Sequence, residues 1–215
     1  FYAGAYNTGG NCGAANMGMC DPGQPITPSL LHMNKTNYGW NSINHERRFT
    51  VLSHELGHHW LQNVLIDEGS GPSSVLNPQS AHPAAYVHTE ARADLVYAED
   101  SSVMGGGYWT DHLDGTFTSY PERTYYSFAD YELYLMGLKA PADVADWFYI
   151  ADTDPPQPLS YYPDTDVTVT GDRHDVDIDM LLAGMGTRDP VYPNAKQDFF
   201  VPLVLVVREG QQPST

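Results

Sequence analysis

The chain is poor in the features that mark several common protein classes. Only two of its 215 residues are cysteine, Cys12 and Cys20, too few for a disulfide mesh or a thiolate zinc site. No apolar run approaches the ~20 residues that a bilayer span requires, so membrane insertion is not expected. Basic residues are scarce: lysine stands only at 35, 139 and 196, and 10 Lys plus Arg face 27 Asp plus Glu, for a net charge of −17. Such a field repels phosphate backbones and anionic lipid, which argues against nucleic-acid partners. No leader is visible ahead of Phe1-Tyr2-Ala3. The expectation is a mature fragment of a secreted, extracellular protein, released from a longer precursor.

What is abundant fits that setting. Nineteen glycines, 16 prolines and 15 tyrosines predict a loop-rich fold with fixed turns and aromatic packing. A chain of this length buries roughly 70% of its unfolded surface and needs no metal merely to fold. Cys12 and Cys20, with seven residues between them in a Gly/Asn-rich stretch, are expected to close a local disulfide. The acid surplus has solubility as its plain explanation. Its functional alternative is Ca2+ in the Asp-rich stretch 152–179, although no EF-hand spacing is present there.

The expected fold class is α+β, in a single domain over 1–215. Three stretches are distinguished within it: 1–60, 61–150, and an irregular tail over 151–215 with a terminal strand. Residues 1–30 are mostly turn-forming, and 30–40 hold a weak edge strand. Apolar residues at Phe49, Leu52, Leu56 and Trp60 predict a helix with one core-facing stripe. Gly57 interrupts it at about 1 kcal/mol relative to Ala, either as tolerated noise or because another segment passes close by. Residues 67–87 read as a long loop and 89–98 as a second helix. Ser127 with Asp130 three residues later reads as a capping box that opens a third helix, ending near Gly137. Texture changes near 150, where a boundary is conceivable. Ile178 to Ala183 suggests a short helix, and Phe199 to Val207 a strand.

One motif carries chemistry. His54-Glu55-Leu56-Gly57-His58 is HExxH on a helix, with its two histidines about 40° apart on one face and one turn apart, so both imidazoles can reach one metal. Glu55 lies about 60° round from His58, beside the metal's water rather than on the metal. Zn2+ polarises a scissile carbonyl and brings the pKa of bound water towards ~7, and Glu55 moves the proton to the leaving amine.

These residues resemble the zincin superfamily of metallopeptidases, and the resemblance implies a zincin-like fold, peptidase activity and zinc. Met104 in Ser102-Val103-Met104-Gly105-Gly106 looks like the methionine turn that lies beneath the metal in metzincins. The extended metzincin pattern asks for a glycine three residues and a ligand six residues after the second histidine. Leu61 and Val64 stand there instead, so the third ligand comes from elsewhere. Phe128 to Leu138 also resembles a pattern in secreted bacterial proteins that carry HExxH, a Ser-x-Met-x-Gly turn and a Leu-Tyr-Leu-Met-Gly helix. That likeness runs on through Gly171 to Arg208.

Glu132 is the first choice for third ligand, because an acid on a largely apolar helix needs a cation or a partner. Glu90, with Asp94 four residues on, fits the gluzincin pattern. His88 or His82 would instead complete a site of three histidines. Asp111 and His112 are placed to stabilise an oxyanion. The expected function is a secreted zinc metalloendopeptidase acting on protein or peptide substrates. A zinc amidase acting on cell-wall peptide and a non-catalytic binding module are the alternatives.

Overall fold

In the computed structural model the described residues are 4–6, 30–32, 50, 52–54, 56–58, 60–61, 64–76, 82–89, 101–119, 127–156, 166–198 and 210. The expected Cys12–Cys20 disulfide, the helix over 90–98 and the strand over 199–207 lie outside them. So does Glu55.

Two short strands, β1 (Gly4–Tyr6) and β2 (Leu30–His32), pair antiparallel with Gly4 opposite His32. β2 falls where the weak edge strand was expected. β1 falls in a stretch read as turns, because three residues carry no periodicity.

A four-stranded antiparallel sheet is the main β element. It comprises β3 (Trp109–Asp111), β4 (Thr116–Ser119), β5 (Trp147–Asp154) and β6 (Thr168–Val176), in the order β3-β4-β6-β5. β5 runs straight through residue 150, where a boundary was considered. Within the tail read as irregular, 151–154 complete β5 and 168–176 form β6, while the short helix expected from Ile178 is present over 178–185. Residues 147–150 are buried one after another because both faces of β5 are covered. Side chains alternate across a strand, so Trp147 and Tyr149 join the larger core while Phe148 and Ile150 join a smaller one with Trp109, Phe117 and Val169. An unbroken apolar run hides the period that identifies a strand in sequence.

The histidine-bearing helix is helical at 50, 52–54 and 56–57. Its apolar stripe does face the core: Trp60 is buried and Leu56 packs against the main cluster. Two further helices close this core, α1 (Asp130–Met136) and α2 (Ile178–Met185). α2 starts at Asp177, whose carboxylate accepts from Met180 N–H at 2.9 Å. Its Gly184 lies against the chain leaving the histidine helix, so that a Cβ there would meet Leu65 O at 2.6 Å and Ile66 Cα at 2.7 Å.

The expected capping box at α1 is corrected by two residues. The cap is Ala129, and Glu132 reaches back to accept its backbone N–H at 2.8 Å. Asp130 bonds outward, accepting from Ala145 N–H and pairing with Lys139. At the other end, Gly137 takes the left-handed conformation with φ 82°, as helix C-termini commonly do. Arg188, itself buried, donates from Nε to Leu135 O at 2.9 Å and from Nη2 to Met136 O at 3.4 Å. A cation on the last carbonyls complements the helix dipole.

Segment 86–89 joins sheet to site. On one side Ile150 N–H donates to Tyr86 O and His88 N–H to Phe148 O, extending the β5 edge. On the other, Gly107 N–H donates to Val87 O and Thr89 N–H to Gly107 O. The turn at 102–107 is thereby tied to the sheet.

Candidate metal centre

Three histidines converge. His54 Nε2 lies 3.2 Å from His58 Nε2 and 3.0 Å from His82 Nε2. The three ring centroids form a nearly equilateral triangle with sides of 4.6, 4.8 and 4.9 Å. Candidate ligand atoms of the three residues all fall within 4.8 Å of one another, and no other such group of three occurs among the described residues. His58 is buried, and His54 and His82 are partly so.

Local structure explains the convergence. The four-residue spacing sets His54 and His58 on one helix face, as the sequence implies. His82 arrives from the loop and precedes Pro83, whose ring keeps the preceding residue out of the helical region. Nδ1 of His54 lies 2.7 Å from Val103 O. A carbonyl can only accept, so Nδ1 carries the proton and the Nε2 lone pair is left facing the other two rings.

The separations suit zinc. At a Zn–N distance of about 2.0–2.1 Å, the edge of a tetrahedral site is about 3.3 Å, close to the two measured Nε2 separations. Electrostatics agree: burial first, then the neighbouring His54 and His58, push His82 down to about 3. His82 is therefore neutral at physiological pH, the form in which imidazole binds a metal.

The turn beneath is tightly built. Residues 101–107 are all buried. Val103 N–H donates to Ser127 O at 2.9 Å and Gly105 N–H to Ser102 O at 3.2 Å. Met104 is fully buried and passes so close to the histidine helix that a Cβ on Gly57 would lie 2.4 Å from its sulfur. Gly57 is glycine because another segment crosses there, the sharper of its two sequence readings.

The other expected site residues lie elsewhere. Glu132 is not a member of the histidine group, and its oxygens are taken. It accepts from Ser102 Oγ at 2.5 Å, Ala129 N at 2.8 Å and Tyr131 Oη at 3.3 Å. These bonds give the lone acid on an apolar helix its partners. Desolvation raises its carboxyl from 4.5 to about 7 even with three donors opposing the shift. His88 sits in the smaller core's neighbourhood, stacked on Phe148 with centroids 4.5 Å apart and accepting Trp109 N–H at Nδ1. Asp111 is paired with Arg173 at 2.9 Å and His112 lies 2.9 Å from Thr118 Oγ1, both around the β3–β4 hairpin. Glu90 falls outside the described residues.

In the stretch expected to hold Ca2+, Asp175 pairs with Arg173 and Asp177 caps α2. No helix among the described residues is long and apolar enough to cross a membrane.

His82 was one of several ligand choices in the sequence, and nothing there ranked it first. A ligand presented by a loop has no periodicity, and only the proline after it hints at a held backbone. The molecule thus joins a mixed α+β framework to a three-histidine cluster of the kind a metal site requires. Protein-family models, curated proteins and solved structures yield no match to this chain.

Proposed function

We propose that the chain is a secreted zinc-dependent metalloendopeptidase whose metal is held by His54, His58 and His82 and whose general base is Glu55. The observation that carries this reading is the meeting of three imidazoles, with His54 Nε2 at tetrahedral-edge separations from the other two, in a chain whose sequence sets a glutamate directly after the first of them. Three nitrogen ligands leave a fourth position for substrate, the usual catalytic arrangement. A bound zinc ion supplies Lewis acidity towards a peptide carbonyl and a lowered pKa for water.

The remaining roles belong to the chain. Val103 O holds His54 in the tautomer that presents Nε2, as outer partners of metal-binding histidines commonly do. Met104 and the buried turn pack directly against the helix at Gly57. Glu55 takes a proton from attacking water and returns it to the leaving amine.

The test separates ligand from base. Protein purified without added metal should contain close to one zinc per chain. His82→Ala should lose zinc, whereas Glu55→Gln should keep it and lose cleavage of casein. A His82→Ala variant that is folded and holds zinc like the wild type would sink this ligand set. Cleavage of murein peptide but not casein would favour the amidase reading of the same centre.

A further inference from the structure

The methionine turn is held by more than its own backbone. The Ser102 hydroxyl donates to Glu132 Oε2 at 2.5 Å and accepts Met104 N–H at 3.0 Å. Glu132 in turn anchors to the start of α1 through Ala129 N–H at 2.8 Å. Across the turn, the Thr89 hydroxyl accepts Ser102 N–H and donates to Gly105 O, both at 3.2 Å. Val103, flanked by these clamps, presents the carbonyl that receives His54 Nδ1–H at 2.7 Å. Ser102, Thr89 and Glu132 are all nearly fully buried, so no water competes for these bonds.

We propose that Ser102 and Glu132 are positioning residues of the metal centre, forming a latch that fixes the height of the 102–105 turn and thereby aims His54. This inference rests on the metal-site reading above. A well-packed core alone would hold Met104. It would not require a buried carboxylate, which costs several kcal/mol when unpaired. The latch accounts for that carboxylate. Glu132 is a strong acceptor that draws Ser102 towards α1, and Ser102 orders the turn through Met104 N–H.

Cobalt(II), whose visible bands report ligand geometry, is titrated into the whole chain and into Ser102→Ala and Glu132→Gln, with affinity read by chelator competition. Ser102→Ala should bind about tenfold more weakly with shifted bands, the low end of what losing an outer-shell partner costs. Glu132→Gln keeps an amide oxygen able to accept from Ser102 and Ala129 but is a weaker acceptor than a carboxylate, and should shift the bands in the same direction as Ser102→Ala while losing less affinity. Unchanged affinity and bands in Ser102→Ala, whatever its melting temperature, would overturn the latch and leave a purely structural bond. Glu132→Gln losing cobalt as fully as His82→Ala would overturn it too, because that is the signature of direct ligation. Wild-type protein that takes up no cobalt overturns the metal-site reading itself, a result seen before any variant is compared. Should Ser102→Ala fail to fold by circular dichroism, Ser102→Cys keeps most of the side-chain volume with a weaker donor and is read in the same way.

Discussion

Glu132 has a measurable signature at the scale of a single residue. Its carboxyl titrates at about 7 in the folded chain against 4.5 ordinarily, with burial as the leading cause. The folded state therefore keeps a proton that the unfolded chain releases between those values. The contribution to stability is full below about pH 4.5 and is lost as pH rises to about 7, a difference on the order of 3 kcal/mol. Urea unfolding of wild type and Glu132→Gln at pH 5 and pH 7.5 isolates it, since the amide does not titrate. Wild type should lose stability relative to the variant as pH rises, and a difference that stays flat would place the titration elsewhere. The same residue illustrates a limit of reading sequence. With the helix started at Ser127, Glu132 has no role and invites a metal. Started two residues later, Glu132 becomes the acid that reaches back to the helix's first N–H.

Among the elements, the histidine helix and the methionine turn are one packing unit. In an exposed helix, Gly57→Ala would gain about 1 kcal/mol in propensity. Here the new Cβ would lie 2.4 Å from Met104 Sδ and 2.9 Å from Phe128 Cε1. Overpacking of this kind costs about 1–3 kcal/mol, so Gly57→Ala should be net destabilised. It should also bind zinc more weakly, because a displaced turn moves Val103 O away from His54. Urea denaturation and chelator competition read the two effects. A variant more stable than wild type would mean the turn yields freely. α1 is fixed at both ends by distant chain: Glu132 to Ser102 at its start, Arg188 at its last carbonyls. A seven-residue helix is too short to persist by itself, and these attachments with its buried Tyr131, Tyr134 and Leu135 hold it in place.

For the whole molecule, the cluster ties the loop at His82 to the histidine helix, closing a span of 28 residues. A ligand bound only by the folded state stabilises it by RT ln(1 + [L]/Kd), about 4 kcal/mol at a thousandfold excess over Kd. Thermal unfolding should therefore shift upward by several degrees when zinc is added to chelator-treated protein, and His82→Ala should abolish the shift. An equal shift in that variant would mean zinc acts at another place. The 27 acidic residues against 10 basic leave the molecule strongly negative, a field that draws cations to it.

Local chemistry made part of this protein legible without coordinates. HExxH at helical spacing puts two imidazoles on one face whatever surrounds the helix. Gly57 in mid-helix left a close neighbour as one of its two readings, and the short helix read over Ile178 to Ala183 is extended by the structure to Met185. Tertiary structure decided the rest. Whether His82, His88 or Glu132 stands nearest the pair depends on how a loop, a sheet edge and a helix end are brought together, and no period or spacing encodes that. Strands β5 and β6 were hidden because one is buried on both faces and the other alternates through charged residues. Side chains within one helix keep fixed relations over a few residues. Contacts between segments 28 or 30 residues apart arise only when the core closes between them.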